Sequence, residues 1–226
     1  MSVKTLNELH QKLDEQIELQ KKNWKSFIYA QSKGYYQGFD KIGIDGWLPT
    51  EKRFESYKIK KYLTKDMSVL DIGSNCGFFS IFTSDYVKKI DGVEINPYLI
   101  KISDITKEFL NNNNSFFYNS SFEDFKSKEK YDMIFSFGND STIDQNTKFN
   151  FHEYIEKILS NLKDDGLLIF VAQAADMMPD TKFLPKLNFL EKNFKIIENR
   201  LVKSEYPINV PERFLLILKN KNEIYF

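Results

Sequence analysis

A regular alternation of strand-like and helix-like segments, which begins at Met67, constrains this chain more than any other feature of its sequence. The strands predicted in this alternation are SVLDIG, KIDGVEIN, SFFYNSS, YDMIFSFG and GLLIFVAQ. Two further strands, FKIIENRLV and RFLLILKN, lie too close together in the chain for a full crossover helix. The pattern predicts a doubly wound α/β fold, with a mostly parallel seven-stranded sheet and an antiparallel C-terminal strand pair.

The N-terminal part of the chain has a different character. Apolar residues recur at helical spacing over residues 3–24, which predicts a helix that packs either on its own domain or on a second copy of the chain. Glycines, tyrosines and a proline interrupt residues 27–57, where we expect a cap or lid before a helix with Thr50 as its N-cap. We therefore divide the chain into an N-terminal helix and lid segment, 1–49, and an α/β domain, 50–226.

The composition restricts the classes of function. Lys and Arg together number 32, as do Asp and Glu, and the resulting zero net charge argues against a protein built mainly to hold nucleic-acid backbones. One cysteine excludes an intrachain disulfide, and two histidines exclude a three-histidine metal site within one chain. Asn139, Asp140 and Asp176 do not match the spacing of a magnesium site closely, so no metal is expected. Neither a signal peptide nor an apolar run of roughly 20 residues is visible, which predicts a cytoplasmic protein without membrane insertion.

The segment VLDIGSNCGFFS places a glycine-containing turn directly after the first of these strands. A dinucleotide-binding turn has the pattern G-x-G-x-x-G. When Gly73 is taken as the first glycine of this pattern, Asn75 and Phe78 stand where the second and third glycines would be. Asp71 precedes the turn, where its charge would oppose a pyrophosphate and favour a cationic ligand. The turn therefore favours a nucleotide-like ligand that carries positive charge and no phosphate.

S-adenosylmethionine has these properties, since it combines an α-ammonium and a sulfonium with a ribose and an adenine. Glu94 ends the second strand, where its carboxylate is placed to accept hydrogen bonds from both ribose hydroxyls. Phe122 follows the third strand within SSFEDF and is placed to flank the adenine. In an open α/β sheet the ends of these strands meet at one crevice, which predicts a single site.

The motifs VLDIGSNCGFFS, GVEINPYLI, SSFEDF and YDMIFSFG, in this order, resemble those of the class I S-adenosylmethionine-dependent methyltransferases over about residues 50–219. The resemblance implies a Rossmann-like fold, S-adenosylmethionine as cofactor and S-adenosylhomocysteine as product. Many relatives carry Asp where this chain has Ser121. The cofactor-binding residues implied are Asp71, Gly73, Ser74, Asn75, Gly77, Phe78, Glu94, Ile95, Ser121, Phe122, Glu123, Ser136, Phe137 and Gly138.

The upstream segment GWLPTEKRFESYKI resembles a subset of these enzymes. That subset includes relatives of bacterial surface-polysaccharide methyltransferases and, more distantly, transferases that modify the wobble uridine of tRNA. The resemblance implies that Arg53 pairs with the cofactor carboxylate, a task that suits the forked donors of a guanidinium. Tyr36 and Trp47 are expected to close over the methionine end.

The segment FSFGNDSTID follows the fourth strand and is expected to face the acceptor. Relatives in the subset often carry a histidine base here, whereas this chain has Asn139 and Asp140. The candidate catalytic residues are therefore Asp140, His152 and Asn139, with Asp144 as a further candidate base. Cys76 is interpreted as a small turn residue, because no histidine stands nearby to activate it.

Together these features predict O-methylation of a small-molecule acceptor. The preferred acceptor is a sugar, a sugar nucleotide or a phosphorylated intermediate of capsule or lipopolysaccharide synthesis, and nucleic acid is not the expected partner. A tRNA-modifying methyltransferase and a non-catalytic, methyltransferase-like binding subunit remain as alternatives. The N-terminal helix also allows a homodimer.

Overall fold

Helices and strands alternate along the computed structural model, which describes residues 4–30, 32, 34–140, 146–172, 180–203 and 212–221. Its helices are α1 (Leu6–Asn23), α2 (Thr50–Tyr57), α3 (Phe78–Ser84), α4 (Pro97–Phe109), α5 (Phe151–Asn161) and α6 (Asp180–Asn193). Its strands are β1 (Gln37–Gly38), β2 (Leu48–Pro49), β3 (Ser68–Ile72), β4 (Lys89–Glu94), β5 (Ser115–Asn119), β6 (Tyr131–Phe137), β7 (Leu162–Val171), β8 (Phe194–Val202) and β9 (Arg213–Asn220). Short 3₁₀ turns span Asp40–Ile42 and Ile59–Tyr62.

The main sheet has seven strands in the order β5-β4-β3-β6-β7-β9-β8. Strands β3 to β7 pair in parallel, whereas β9 runs antiparallel to both β7 and β8. This arrangement confirms the predicted fold class, including the antiparallel C-terminal pair. The chain order reverses between β3 and β6, which creates the crevice where open α/β sheets bind their ligands.

Both faces of the sheet are covered by helices, as its mostly parallel pairing requires. Alternate residues of β3 point to opposite faces, so that Val69 packs with the cluster of α2 and α3, while Leu70 packs with the cluster of α5 and α6. The first cluster contains Phe54 and Phe79, and the second contains Tyr154. The sheet is thus held rigidly between two apolar layers, and its carboxyl edge is left to carry the site.

Helix α1 packs on its own domain. Thr5 and Glu8 form a reciprocal capping box at its start. The apolar face, with Leu9, Leu13 and Ile17, is buried in a cluster that includes Leu99 of α4. The face that allowed a homodimer is therefore already covered within one chain.

One local expectation differs from the structure. Thr50 is not an N-cap, because Pro49 holds that position and Thr50 lies buried inside the first turn of α2. Helix α6 is not among the predicted elements, and it contains Pro185, a residue that usually interrupts helices. Met177 and Met178, whose flexible side chains would suit the lining of an acceptor pocket, lie outside the described residues. Within the described ranges no helix has the length and apolar character to cross a membrane.

Candidate functional site

A cavity of about 740 Å³ opens at the carboxyl ends of β3, β4 and β6. Its floor comes from the strand ends, and one wall comes from the N-terminal segment, including Trp24, Phe27 and Tyr29. The sequence-predicted residues that line it are Tyr36, Trp47, Arg53, Asp71, Gly73, Asn75, Glu94, Ile95, Ser121, Phe122, Glu123, Phe137, Gly138 and Asn139. Most of the predicted site is therefore gathered around one space.

The turn after β3 is built by residues in left-handed conformation. Gly73, Asn75 and Gly77 have φ values of 64°, 55° and 70°, which favour glycine and, next to it, asparagine. The buried side chain of Gln37 clamps this turn, since its Nε2 donates to the Ser74 carbonyl at 3.1 Å and its Oε1 accepts from the amide of residue 78 at 3.0 Å. Gln37 was not among the predicted site residues, because no local sequence pattern marks its role.

Ser74, Gly77 and Phe78 do not line the cavity but support it from behind. The Gly77 amide donates to the Ser74 carbonyl at 2.9 Å and closes the turn. Phe78 is fully buried against Phe39. Cys76 lines the cavity, and burial raises the pKa of its thiol, which opposes formation of a nucleophilic thiolate.

Glu94 lies at the end of β4 with its carboxylate oriented by the backbone. Its Oε2 accepts a hydrogen bond from the Asn75 amide at 3.1 Å, and its Oε1 accepts one from the Asn96 amide at 2.9 Å. A carboxylate can accept more than two hydrogen bonds, and Glu94 lines the cavity. This geometry suits a ligand with two neighbouring hydroxyl donors.

Arg53 brings a buried positive charge into the cavity. Its side chain projects from α2, and the residue is 8% exposed. The guanidinium stacks over the Phe79 ring at 4.3 Å and lies 5.7 Å from the Phe137 ring centre. Its Nε and Nη2 are buried and have no hydrogen-bond partner among the described residues. Two orphaned donors on one planar group suit a bidentate carboxylate ligand.

Asp71 supplies the opposite charge at the end of β3. It is 3% exposed and accepts a hydrogen bond from the Ser80 hydroxyl at 2.5 Å. Burial raises the pKa of Asp71 to about 6, although the Ser80 hydrogen bond and the Arg53 charge oppose the rise. A carboxylate and a guanidinium in one dry cavity suit a ligand that carries both an ammonium and a carboxylate.

The raised pKa of Asp71 predicts a pH-dependent stability. The Asp71 carboxyl binds its proton more tightly in the folded protein than in the unfolded chain. Stability therefore falls as the pH rises from 3.8 to about 6, and the whole loss of stability from the buried charge is present above that range. We expect Asp71→Asn to stabilise the ligand-free protein at pH 8, by at most about 3 kcal/mol for a shift of roughly two units. The measurement is thermal unfolding of both proteins between pH 5 and pH 8.

The difference in stability between Asp71→Asn and the wild type should shrink as the pH falls through about 6. Asp164→Asn, which removes an exposed carboxylate from β7, is the matched control and should change stability little at either pH. An Asp71→Asn protein that is no more stable than the wild type at pH 8 contradicts this account.

Beyond β5, the three residues predicted to flank adenine have different surroundings. Phe122 lines the cavity with a ring that is 7% exposed and packs edge-on against Tyr154 at 5.4 Å. The Ser121 hydroxyl donates to Asp124 at 2.8 Å. Glu123 accepts from the Lys148 amide at 2.9 Å. The Phe122 ring thus offers an apolar surface to a ligand in the cavity, whereas Ser121 and Glu123 also hold the local loops in place.

At the end of β6, the structure corrects one prediction. Phe137, Gly138 and Asn139 line the cavity, but Ser136 does not. Ser136 is fully buried, with its hydroxyl 2.9 Å from the Tyr154 hydroxyl, because successive side chains of a strand point to opposite faces of the sheet. Asn139 donates through Nδ2 to the Ile72 carbonyl and thereby ties the ends of β6 and β3 together.

The two candidate bases lie outside the cavity wall. The Asp140 side chain is fully buried and forms an ion pair with Lys186 of α6 at 2.6 Å. His152 is exposed on α5 and stacks on Phe189 at 4.0 Å between ring centres. Neither position supports proton abstraction from a ligand in the cavity. Asp144 lies outside the described residues.

A cavity at the carboxyl ends of the central strands of an open α/β sheet is typical of enzymes that bind nucleotide-like cofactors. Residues 63–205 match the family of methyltransferase domains, and the chain belongs to that family. This membership confirms the class inferred from the sequence, a class I S-adenosylmethionine-dependent methyltransferase, and with it the cofactor. No curated protein matches the chain in sequence.

Solved structures of similar fold include several methyltransferases. N-methyltransferase NodS from Bradyrhizobium japonicum WM9, in complex with S-adenosylhomocysteine, has a TM-score of 0.64 at 13% identity over 94% of this chain and 98% of that one. An rRNA methylase from Streptococcus thermophilus has a TM-score of 0.57 at 18% identity over 75% and 97% of the two chains. M. jannaschii TYW2, in complex with AdoMet, has a TM-score of 0.57 at 18% identity over 76% of each chain. At these identities the likeness establishes the fold.

Proposed function

We propose that this protein methylates an oxygen of a small-molecule acceptor, of the class of sugars, sugar nucleotides or phosphorylated sugars used in surface polysaccharide synthesis. The observation that carries this proposal is the cavity itself. Its volume of about 740 Å³ lies within the range of small-molecule sites, and the N-terminal segment covers it with aromatic side chains. Aromatic faces of this kind pack well against the apolar faces of sugar rings.

The cofactor is proposed to lie along the ends of β5, β4 and β3. Phe122 flanks its adenine, and Glu94 accepts hydrogen bonds from the ribose hydroxyls. Asp71 pairs with the ammonium, and Arg53 pairs with the carboxylate. The orphaned Nε and Nη2 atoms of Arg53 support this placement, because a buried guanidinium without partners is costly unless a ligand supplies an acceptor.

S-adenosylmethionine supplies an electrophilic methyl group on a sulfonium. The residues of the chain then contribute position and the exclusion of water. Asp71 and Arg53 fix the amino-acid end of the cofactor, while Phe137 and Gly138 line the cavity at the next strand end. Alignment of an acceptor oxygen with the methyl group accounts for much of the catalysis that this reaction needs. A hydroxyl acceptor must also give up its proton to a base, and neither Asp140 nor His152 lines the cavity to take it, whereas an ionised phosphoryl or carboxylate oxygen needs no base.

A small acceptor is favoured over tRNA by the charge of the cavity. Arg53 and Arg213 are the cations among the described lining residues, and that lining contains no lysine. A polynucleotide site needs several positive groups along a groove. The rRNA methylase and TYW2 among the similar structures share the fold at 18% identity, which does not extend to their acceptors.

The proposal is tested by release of S-adenosylhomocysteine from S-adenosylmethionine in the presence of sugar nucleotides, phosphorylated sugars or undermodified tRNA. We expect turnover with a member of the first two groups. Glu94→Ala should show none, which serves as the control for a contaminating activity. Turnover with tRNA alone contradicts the proposed acceptor, and a wild-type protein that fails to bind S-adenosylmethionine in calorimetry contradicts catalysis itself.

A further inference from the structure

A second arginine, Arg213, lies in the cavity without an assigned ligand. It is the first residue of β9 and lines the cavity with a partly buried side chain. Its Nε is buried and has no hydrogen-bond partner among the described residues. We propose that Arg213 binds an anionic group of the acceptor, a carboxylate or a phosphoryl group. This proposal rests on the proposed function and specifies the charge of its substrate.

The order of the strands places Arg213 on the acceptor side of the cavity. The cofactor is proposed to occupy the ends of β5, β4 and β3, whereas β9 lies beyond β6 and β7 on the other side. Three strand spacings separate β3 from β9, which is roughly 14 Å along the sheet edge. A group held by Arg213 therefore approaches the methyl-bearing end of the cofactor from the side opposite the adenine.

The backbone next to Arg213 is held in the sheet, and the neighbouring Phe214 packs on α6. The Ala172 amide donates to the Phe214 carbonyl at 2.9 Å, and the Phe214 ring stacks on Phe183 of α6 at 4.4 Å. Arg213 shares a strand face with Leu215 and points toward α2, where Tyr57 lies. The charges of Arg53 and Arg213 both act to lower the pKa of the buried Tyr57 phenol, so both arginines lie near this ring.

Arg53 and Arg213 differ in what they face. Arg53 stacks on Phe79 and Phe137 and acts on Asp71, so it belongs to the β3 end of the cavity. Arg213 lies three strands away and makes no ion pair with a described residue. If Arg53 binds the cofactor carboxylate, the second guanidinium still needs an anion, because a partly buried unpaired charge is unfavourable. The acceptor is the remaining ligand that can supply it.

The test uses the protein saturated with S-adenosylhomocysteine and titrated with inorganic phosphate. Both tryptophans of the chain, Trp24 and Trp47, line the cavity, so their fluorescence reports binding. We expect saturable binding to the wild type and a roughly 10- to 100-fold loss of phosphate affinity in Arg213→Gln, as for a lost charge-assisted hydrogen bond. Arg213→Lys should retain part of the affinity, because it keeps the charge and loses the fork.

Lys203→Gln removes the same charge from an exposed position just after β8 and serves as the matched control. It should bind phosphate as the wild type does, and all variants should bind S-adenosylhomocysteine with unchanged affinity. Weaker S-adenosylhomocysteine binding by Arg213→Gln would assign this arginine to the cofactor and overturn the proposal. Absence of saturable phosphate binding to the wild type, or Arg213-dependent retention of tRNA without phosphate binding, overturns it as well. Failure of the wild type to bind S-adenosylhomocysteine instead removes the proposed function.

Discussion

Arg53→Gln is expected to weaken S-adenosylhomocysteine binding by roughly 30- to 1,000-fold, the loss typical of a buried, hydrogen-bonded charge pair. The reason is that Arg53 lines the cavity and is itself buried, with two donors that have no partner among the described residues. Isothermal titration of the wild type and the variant measures the effect. Lys52→Gln removes a neighbouring charge from the exposed side of α2 and should leave the affinity unchanged.

The same residue should affect stability in the opposite direction. In the ligand-free protein the Arg53 guanidinium is buried on aromatic rings, and no carboxylate of the described residues is bonded to it, which is unfavourable. We therefore expect Arg53→Met to unfold at a temperature equal to or above that of the wild type, while cofactor binding is lost. A variant that loses both stability and binding would instead make Arg53 a structural residue and contradict its assignment to the cofactor.

The side of the cavity formed by β3 and β4 is predictable from the sequence because its residues lie at or just after the ends of predicted strands. Asp71 and Gly73 follow the apolar run of β3, and Glu94 ends β4. Parallel strands bring their carboxyl ends to one edge, so strand prediction alone places these residues together. It is harder to predict which of the last residues of a strand faces the cavity. Ser136 and Phe137 are adjacent at the end of β6, and only Phe137 lines the cavity.

The remaining features depend on contacts between residues that are far apart in the chain. Gln37 clamps a turn that begins 36 residues later at Gly73, and Lys186 of α6 pairs with Asp140, which lies 46 residues earlier in the chain. Arg213 resembles any charged residue at the start of a strand until the order of the sheet brings β9 beside β7. No local period or propensity encodes such pairings, because they are set by topology.

The second large effect is expected at Gly77. Its φ of 70° lies in the left-handed region, and a Cβ there would stand 2.5 Å from the Cβ of Ser103 and 2.6 Å from the ring of Phe117. Both neighbours belong to packed elements, α4 and β5, so neither moves without disturbing the core. We expect Gly77→Ala to destabilise the protein by about 3 kcal/mol, the sum of backbone strain and overpacking.

Gly34→Ala separates these two causes. Gly34 has a φ of 83°, but a Cβ there meets no atom of the described residues within 4 Å. Gly34→Ala therefore introduces the backbone strain alone, which costs about 1 kcal/mol. For a chain of this size that lowers the midpoint of thermal unfolding by roughly 2–4 °C. Gly77→Ala should lower the midpoint by about 6–12 °C on the same scale. Equal shifts for the two variants would show that α4 and β5 yield to the added methyl group, and that the turn after β3 requires glycine at this position for its backbone conformation alone.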